Sequence, residues 1–166
     1  MIFGERYLIS WITVMEKRST VDNTMILFDR VTKTYGTGQK ALDDVSLQIE
    51  KGEFVFLVGN SGAGKTTLLE LILRETEADQ GNIVVNGIDL RQMKERQVCR
   101  YRRYIGMVFQ DFCLFPDFTV YENVAFAQRV IEADHKRMRS RVMEVLSQVG
   151  LEKKAGCYPG QLSGGE

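Results

Sequence analysis

An excess of charge of either sign is missing from this sequence. Its 22 Lys and Arg residues balance 22 Asp and Glu, so there is no basic footprint of the kind a nucleic-acid surface leaves. Cysteine is scarce and scattered: Cys99, Cys113 and Cys157 form no CxxC pair and no zinc spacing. An odd number leaves at least one unpaired within the chain, and reduced thiols of a cytosolic protein are the expectation. Proline is rarer still, at Pro116 and Pro159 only, and no repeat or low-complexity stretch interrupts the chain. No apolar run reaches the ~20 residues that span a bilayer. The nearest candidate, residues 2–15, carries Glu5 and Arg6 and is followed by no small-residue cleavage site of a secretory signal. At 166 residues the length suits one domain.

What is present centres on Gly59, Asn60, Ser61, Gly62, Ala63, Gly64, Lys65, Thr66 and Thr67. This stretch fits G-x-x-x-x-G-K-[ST], the phosphate-binding loop. Residues 54–58 (FVFLV) precede it, too short for a helix and rich in strand formers, which predicts a buried parallel strand. Residues 66–73 follow with helical composition. Glycines in the loop permit close backbone approach to a phosphate, and the amides entering the helix face the anion at its positive dipole end. In this geometry Lys65 is expected to bridge the β- and γ-phosphates of a nucleotide, and the Thr66 hydroxyl to ligate Mg²⁺. The bland reading, a glycine-rich turn matching by chance, is disfavoured by the flanking strand and helix.

A domain is expected to begin at Met25, leaving residues 1–24 as an N-terminal extension or, alternatively, an interfacial membrane segment. Residues 26–31 read as a strand, 36–38 as a turn, and 45–49 alternate as a half-exposed antiparallel strand. Asn86-Gly87 between apolar residues predicts a hairpin, because both central residues of a type I′ turn need positive φ. Residues 91–101 read as a charged surface helix. A second apolar run, 105–109, predicts another buried strand, closed by Gln110. Thr119 and Glu122 form a capping box for a helix over 120–133. Met138, Val142, Val145, Leu146 and Val149 then mark a core-facing helix stopped by Gly150.

The phosphate-binding loop, the lone Gln110 closing a strand, and Leu162-Ser163-Gly164-Gly165-Glu166, in that order, resemble the ABC-type ATPases. The resemblance covers residues 25–166. Within the family, the wording of 52–59, 61–65, 105–111 and 119–124 is most similar to the cell-division branch. The ATPases of macrolide and lipoprotein exporters share much of it. The resemblance implies an α/β fold: a P-loop (RecA-like) core with an antiparallel β-subdomain and an α-helical insert over approximately 112–166, incomplete at its C-terminus. It implies that Tyr35 stacks on adenine, that Gln110 touches the Mg²⁺ and water region, and that Ser163, Gly164 and Gly165 cap the γ-phosphate of ATP bound to a second subunit. The implied cofactors are ATP and Mg²⁺. The implied partners are a second ATPase subunit and a permease-like membrane protein, with the chain at the cytoplasmic face of the membrane and no nucleic acid.

The same resemblance implies a strand beyond the signature carrying a Mg²⁺-binding Asp and a catalytic Glu, and then a switch histidine. Glu166 is the last residue here, and the single histidine, His135, falls in the insert. Residues 1–166 are therefore expected to be a fragment, aggregation-prone alone and without ATPase activity. The groove that receives the permease in this family maps to Phe112, Leu114, Phe115 and Phe118, for which the alternative is core of the insert. Two rival functions remain. A small-molecule kinase would lack the signature and the hairpin subdomain. A soluble ABC protein acting on ribosomes or DNA would retain those instead of a membrane partner.

Overall fold

The computed structural model describes residues 23–36, 38–109, 111–131 and 136–166. They fall into two units, one ending at Met107 and the other running Val108–Glu166. Gln110 and His135, like Ala133 at the expected end of the first insert helix, lie outside the described residues.

In the first unit, β1 (Thr24–Thr34) and β2 (Lys40–Glu50) pair antiparallel. β3 (Gln80–Val85) joins the other side of β1, and β4 (Ile88–Asp89) pairs with β3, giving the order β2-β1-β3-β4. The period-two alternation of 45–49 is visible as burial, with Val45, Leu47 and Ile49 more covered than Ser46 and Gln48. The β3–β4 turn has Asn86 at φ 48° and Gly87 at φ 74°, as the hairpin signature requires. β1 bulges at Arg30, whose φ is 50°, and Gly81 lies opposite. A Cβ at Gly81 would meet the carbonyl oxygens of Arg30 and Asp29 at 2.3 and 2.5 Å, so only glycine permits this close crossing.

The helix α1 (Lys65–Ile72) packs Leu68, Leu71 and Ile72 onto Ile26, Phe28, Val31, Leu42, Ile83 and Val85 of the sheet. Burying each such aliphatic side chain contributes roughly 1.5–3 kcal/mol. The predicted surface helix divides into a 3₁₀ turn (Leu90–Gln92) and α2 (Glu95–Arg102). α2 closes the far end of α1. The Tyr101 hydroxyl donates to the Ile72 carbonyl at 2.6 Å, and Arg102 donates to the carbonyls of Leu73 and Arg74 at 2.8 and 3.0 Å. These bonds satisfy carbonyls that a helix end leaves orphaned and place a cation at its negative end. Burial pushes the Tyr101 phenol well above its usual pKa.

The second unit holds α3 (Val120–Val130) and α4 (Met138–Gln148), packed through Val120, Ala125, Met138, Val142 and Leu146. The capping box forms: the Glu122 amide donates to Thr119 Oγ1 at 3.2 Å, and the Thr119 amide donates to Glu122 Oε2 at 2.8 Å. The next free amides of α3, at Val120 and Tyr121, donate to the carbonyls of Cys157 and Ala155 at 2.8 and 2.9 Å. Val149 departs from the expected stripe. It lies beyond the last turn of α4 and is 64% exposed.

Two expected buried strands are corrected. Residues 54–58 form no ladder, and Phe56 and Val58 are 70% and 77% exposed. In the other run, Ile105 makes only an isolated bridge, and Val108 and Phe109 are exposed. The physical reason is the shortage of paired neighbours: a parallel strand is buried by strands on both sides and helices on both faces, and neither run is a member of the four-stranded sheet.

Candidate functional site

Residues 59–63 are exposed and wind toward α1. Gly64 is the N-cap of that helix, at φ 84°. A Cβ there would lie 2.3 Å from the Ala41 carbonyl oxygen and 2.8 Å from a Leu42 methyl. Glycine thus lets the loop enter the helix while pressed against β2. The Lys65 ammonium folds back into the loop and donates to the carbonyls of Gly59 and Asn60 at 2.6 and 2.8 Å. α1 has no acidic residue in its first turn, and no side chain caps it. A cation and a helix N-terminus without an internal counter-anion suit a polyphosphate.

Thr66 is exposed at the start of α1, and Thr67 is buried, 6% exposed. Tyr35 stands just past β1, its hydroxyl donating to Glu70 Oε2 at 2.8 Å and lying 3.2 Å from Thr67 Oγ1. The aromatic and the phosphate-binding loop are therefore joined through one helix. The Lys33 ammonium covers one face of the Tyr35 ring, 5.8 Å from its centroid, and also meets Asp79 at 3.4 Å. Asp79 accepts the Thr34 amide at 2.6 Å; that bond, with help from Lys33, holds its carboxyl below the usual range. Lys33, Glu70 and Asp79 were not among the residues singled out in the sequence. For Glu70 a signal existed, since it lies four residues after Thr66 and helical neighbours share a face.

Ser163, Gly164 and Gly165 are exposed in a turn of the second unit. The Ser163 amide and hydroxyl both donate to Glu166 Oε2 at 3.0 Å, and Lys154 bonds the other carboxylate oxygen. With Lys154 first among the causes, the Glu166 carboxyl is held at about 2. Phe115, Phe118 and Phe126 form an aromatic group with centroids 4.8 to 6.5 Å apart. Phe112 and Leu114 beside them are 64% and 49% exposed. The loop is fastened by Asn123, whose amide nitrogen donates to the carbonyls of Phe115, Phe118 and Thr119 while its oxygen accepts the Phe115 amide. No sequence signal marked Asn123.

Residues 42–166 match the family model described as ABC transporter. Over 142 residues the chain is 49% identical to the cell division ATP-binding protein FtsE of Bacillus subtilis, covering 86% of this chain and 62% of that protein. Against the methionine import ATP-binding protein MetN of Leifsonia xyli it is 43% identical over 143 residues, 85% of this chain and 42% of the relative. Among solved structures, a dimeric ATP-binding cassette in a post-hydrolysis state with ADP and Pi superposes with a TM-score of 0.74 at 33% identity, covering 85% of this chain and 64% of that one. The chain thus spans less than two thirds of the length of these relatives. With an identity of 49% to a relative covered across most of this chain, and a family model matched from β2 to the last residue, the chain belongs to the ABC transporter family.

Proposed function

We propose that this chain is the ATP-binding part of an FtsE-like ATPase, which couples ATP binding and hydrolysis to an FtsX-like membrane partner in cell division. The observation that carries the reading is the Lys65 ammonium held by the carbonyls of Gly59 and Asn60 at the uncapped N-terminus of α1, with Tyr35 tied to the same helix. The triphosphate takes the place of those carbonyls on Lys65, and the adenine stacks on Tyr35. Mg²⁺ fits the donor set. It takes oxygen ligands and needs few from protein, and the exposed Thr66 hydroxyl would supply one. Among the described residues no cluster of three His, Cys, Asp or Glu could hold a metal.

Hydrolysis in such a site forms no covalent intermediate. Lys65 and the loop amides offset charge on the transferred phosphoryl group, and a carboxylate orients water. Ser163, Gly164 and Gly165 would face the γ-phosphate of a second subunit, for which the name of the dimeric relative is the support. Phe112, Leu114, Phe115 and Phe118 would receive the membrane partner, and their exposure supports this. No described helix is long and apolar enough to cross a membrane, and the chain would be held at the cytoplasmic face by that partner. Similarity to MetN favours, as a second reading, the ATPase of an ABC transporter; the membrane protein that copurifies distinguishes the two.

The test is calorimetric binding of ATP to the 166-residue chain. Lys65→Ala should weaken binding by at least about tenfold, since a charge-assisted contact contributes ~1.5–3 kcal/mol. Unchanged affinity in that variant would remove the basis of the assignment.

A further inference from the structure

We infer that Glu70 is a positioning residue for nucleobase recognition: it holds the Tyr35 ring by its hydroxyl at a set place relative to the phosphate-binding loop. The inference rests on the ATP-binding reading above and deepens it. Three independent constraints meet at Tyr35. Its backbone is pinned in the β1–β2 connection, where its amide donates to Gln39 and its carbonyl accepts from Gly38, at 3.0 and 2.8 Å. The preceding residue, Thr34, is bonded to Asp79. The hydroxyl at the other end of the side chain donates to Glu70 at 2.8 Å, next to the buried Thr67.

A phenol fixed at both ends has lost most of its rotational freedom before any ligand arrives. With Lys33 over one face, the remaining face of a ring that is 42% exposed is the one left for a base. Thr67 and Glu70 lie two and five residues beyond Lys65, about 3 and 7.5 Å along the helix axis. Base platform and phosphate anchor are thus spaced by a single rigid element. Stacking alone needs only an aromatic ring. The hydroxyl and its carboxylate acceptor add placement, which lowers the ordering cost that base binding otherwise incurs.

The experiment measures Kd for ATP and for inorganic tripolyphosphate, both with Mg²⁺, on the 166-residue chain, with folding checked by circular dichroism. Taking the ratio of the two constants removes the general gain in anion affinity expected when an acidic charge is deleted. Glu70→Ala and Tyr35→Phe should each weaken ATP relative to tripolyphosphate by roughly three- to tenfold. The double variant should lose no more than the larger single effect, because both remove one interaction. Glu70→Gln, which keeps an acceptor, should restore the ratio to within about twofold. An unchanged ratio in Glu70→Ala, or multiplicative losses in the double variant, would overturn the positioning role. Tyr35→Ala with an unchanged ratio would instead overturn the stacking role of Tyr35, a separable failure of the underlying reading.

Discussion

At the scale of single residues, the side chains that organise the two candidate surfaces act through backbone oxygens. Lys65 gathers the phosphate-binding loop through two carbonyls, and Asn123 gathers the aromatic loop through three. Phe115 is 42% exposed although its ring meets Phe118 at a tilt and Phe126 edge-on. An aromatic anchor at an interface centre contributes ~2 kcal/mol or more, so under the docking role proposed above Phe115→Ala should weaken capture of the proposed membrane partner by tenfold or more. Nucleotide affinity should stay within about twofold, because Phe115 makes none of the hydrogen bonds that hold Lys65 and Tyr35. Asn123→Ala should weaken capture as well, through loss of loop order. If Phe115→Ala sharply lowers the melting temperature and capture falls only with the folded fraction, the residue is core and the docking role is wrong.

Among the elements, α3 shows most directly how a local motif becomes pH-sensitive. Hydrogen bonds from the Thr119 amide and hydroxyl hold the Glu122 carboxyl below its usual value. A group whose folded pKa is depressed contributes stability that is present above its unfolded pKa and is lost as pH falls through the folded one. The first turn of α3 should therefore lose amide protection as pH drops below about 4.5, near the usual carboxylate value. Glu122→Gln should flatten this dependence. Asp79 and Glu166 titrate with the same sign, so the difference between the variant and the parent chain is the quantity that counts, read by amide exchange at Asn123 and its neighbours. An equally steep pH dependence in Glu122→Gln would rule the capping box out as its source. Thr119→Ala should cost ~1 kcal/mol at neutral pH.

For the molecule as a whole, the dominant feature is the apolar surface at residues 54–58, where a buried strand was expected. Exposed apolar stretches of this kind mark contact or aggregation sites. The 166-residue chain should bind a hydrophobic dye and self-associate in a concentration-dependent way. Phe56→Lys with Val58→Lys should reduce both while shifting stability by only about 0.5 kcal/mol, as surface substitutions do. A marked loss of stability in that variant would show the run to be covered in solution.

The sequence by itself determined whatever depends on neighbours along the chain. The β3–β4 turn needed only Asn86-Gly87 and their positive φ, the α3 cap needed only Thr119 and Glu122, and the loop entering α1 needed only its glycines and Lys65. Tertiary structure decided what depends on residues far apart. The hydroxyl of Tyr35 meets Glu70 across 35 positions, and Tyr101 and Arg102 close the end of α1 from 29 positions away. Neither pairing has a spacing that a sequence displays. The two apolar runs make the same point in reverse. Their composition met every local condition for a strand, yet a strand becomes a ladder only when another backbone lies beside it to exchange hydrogen bonds.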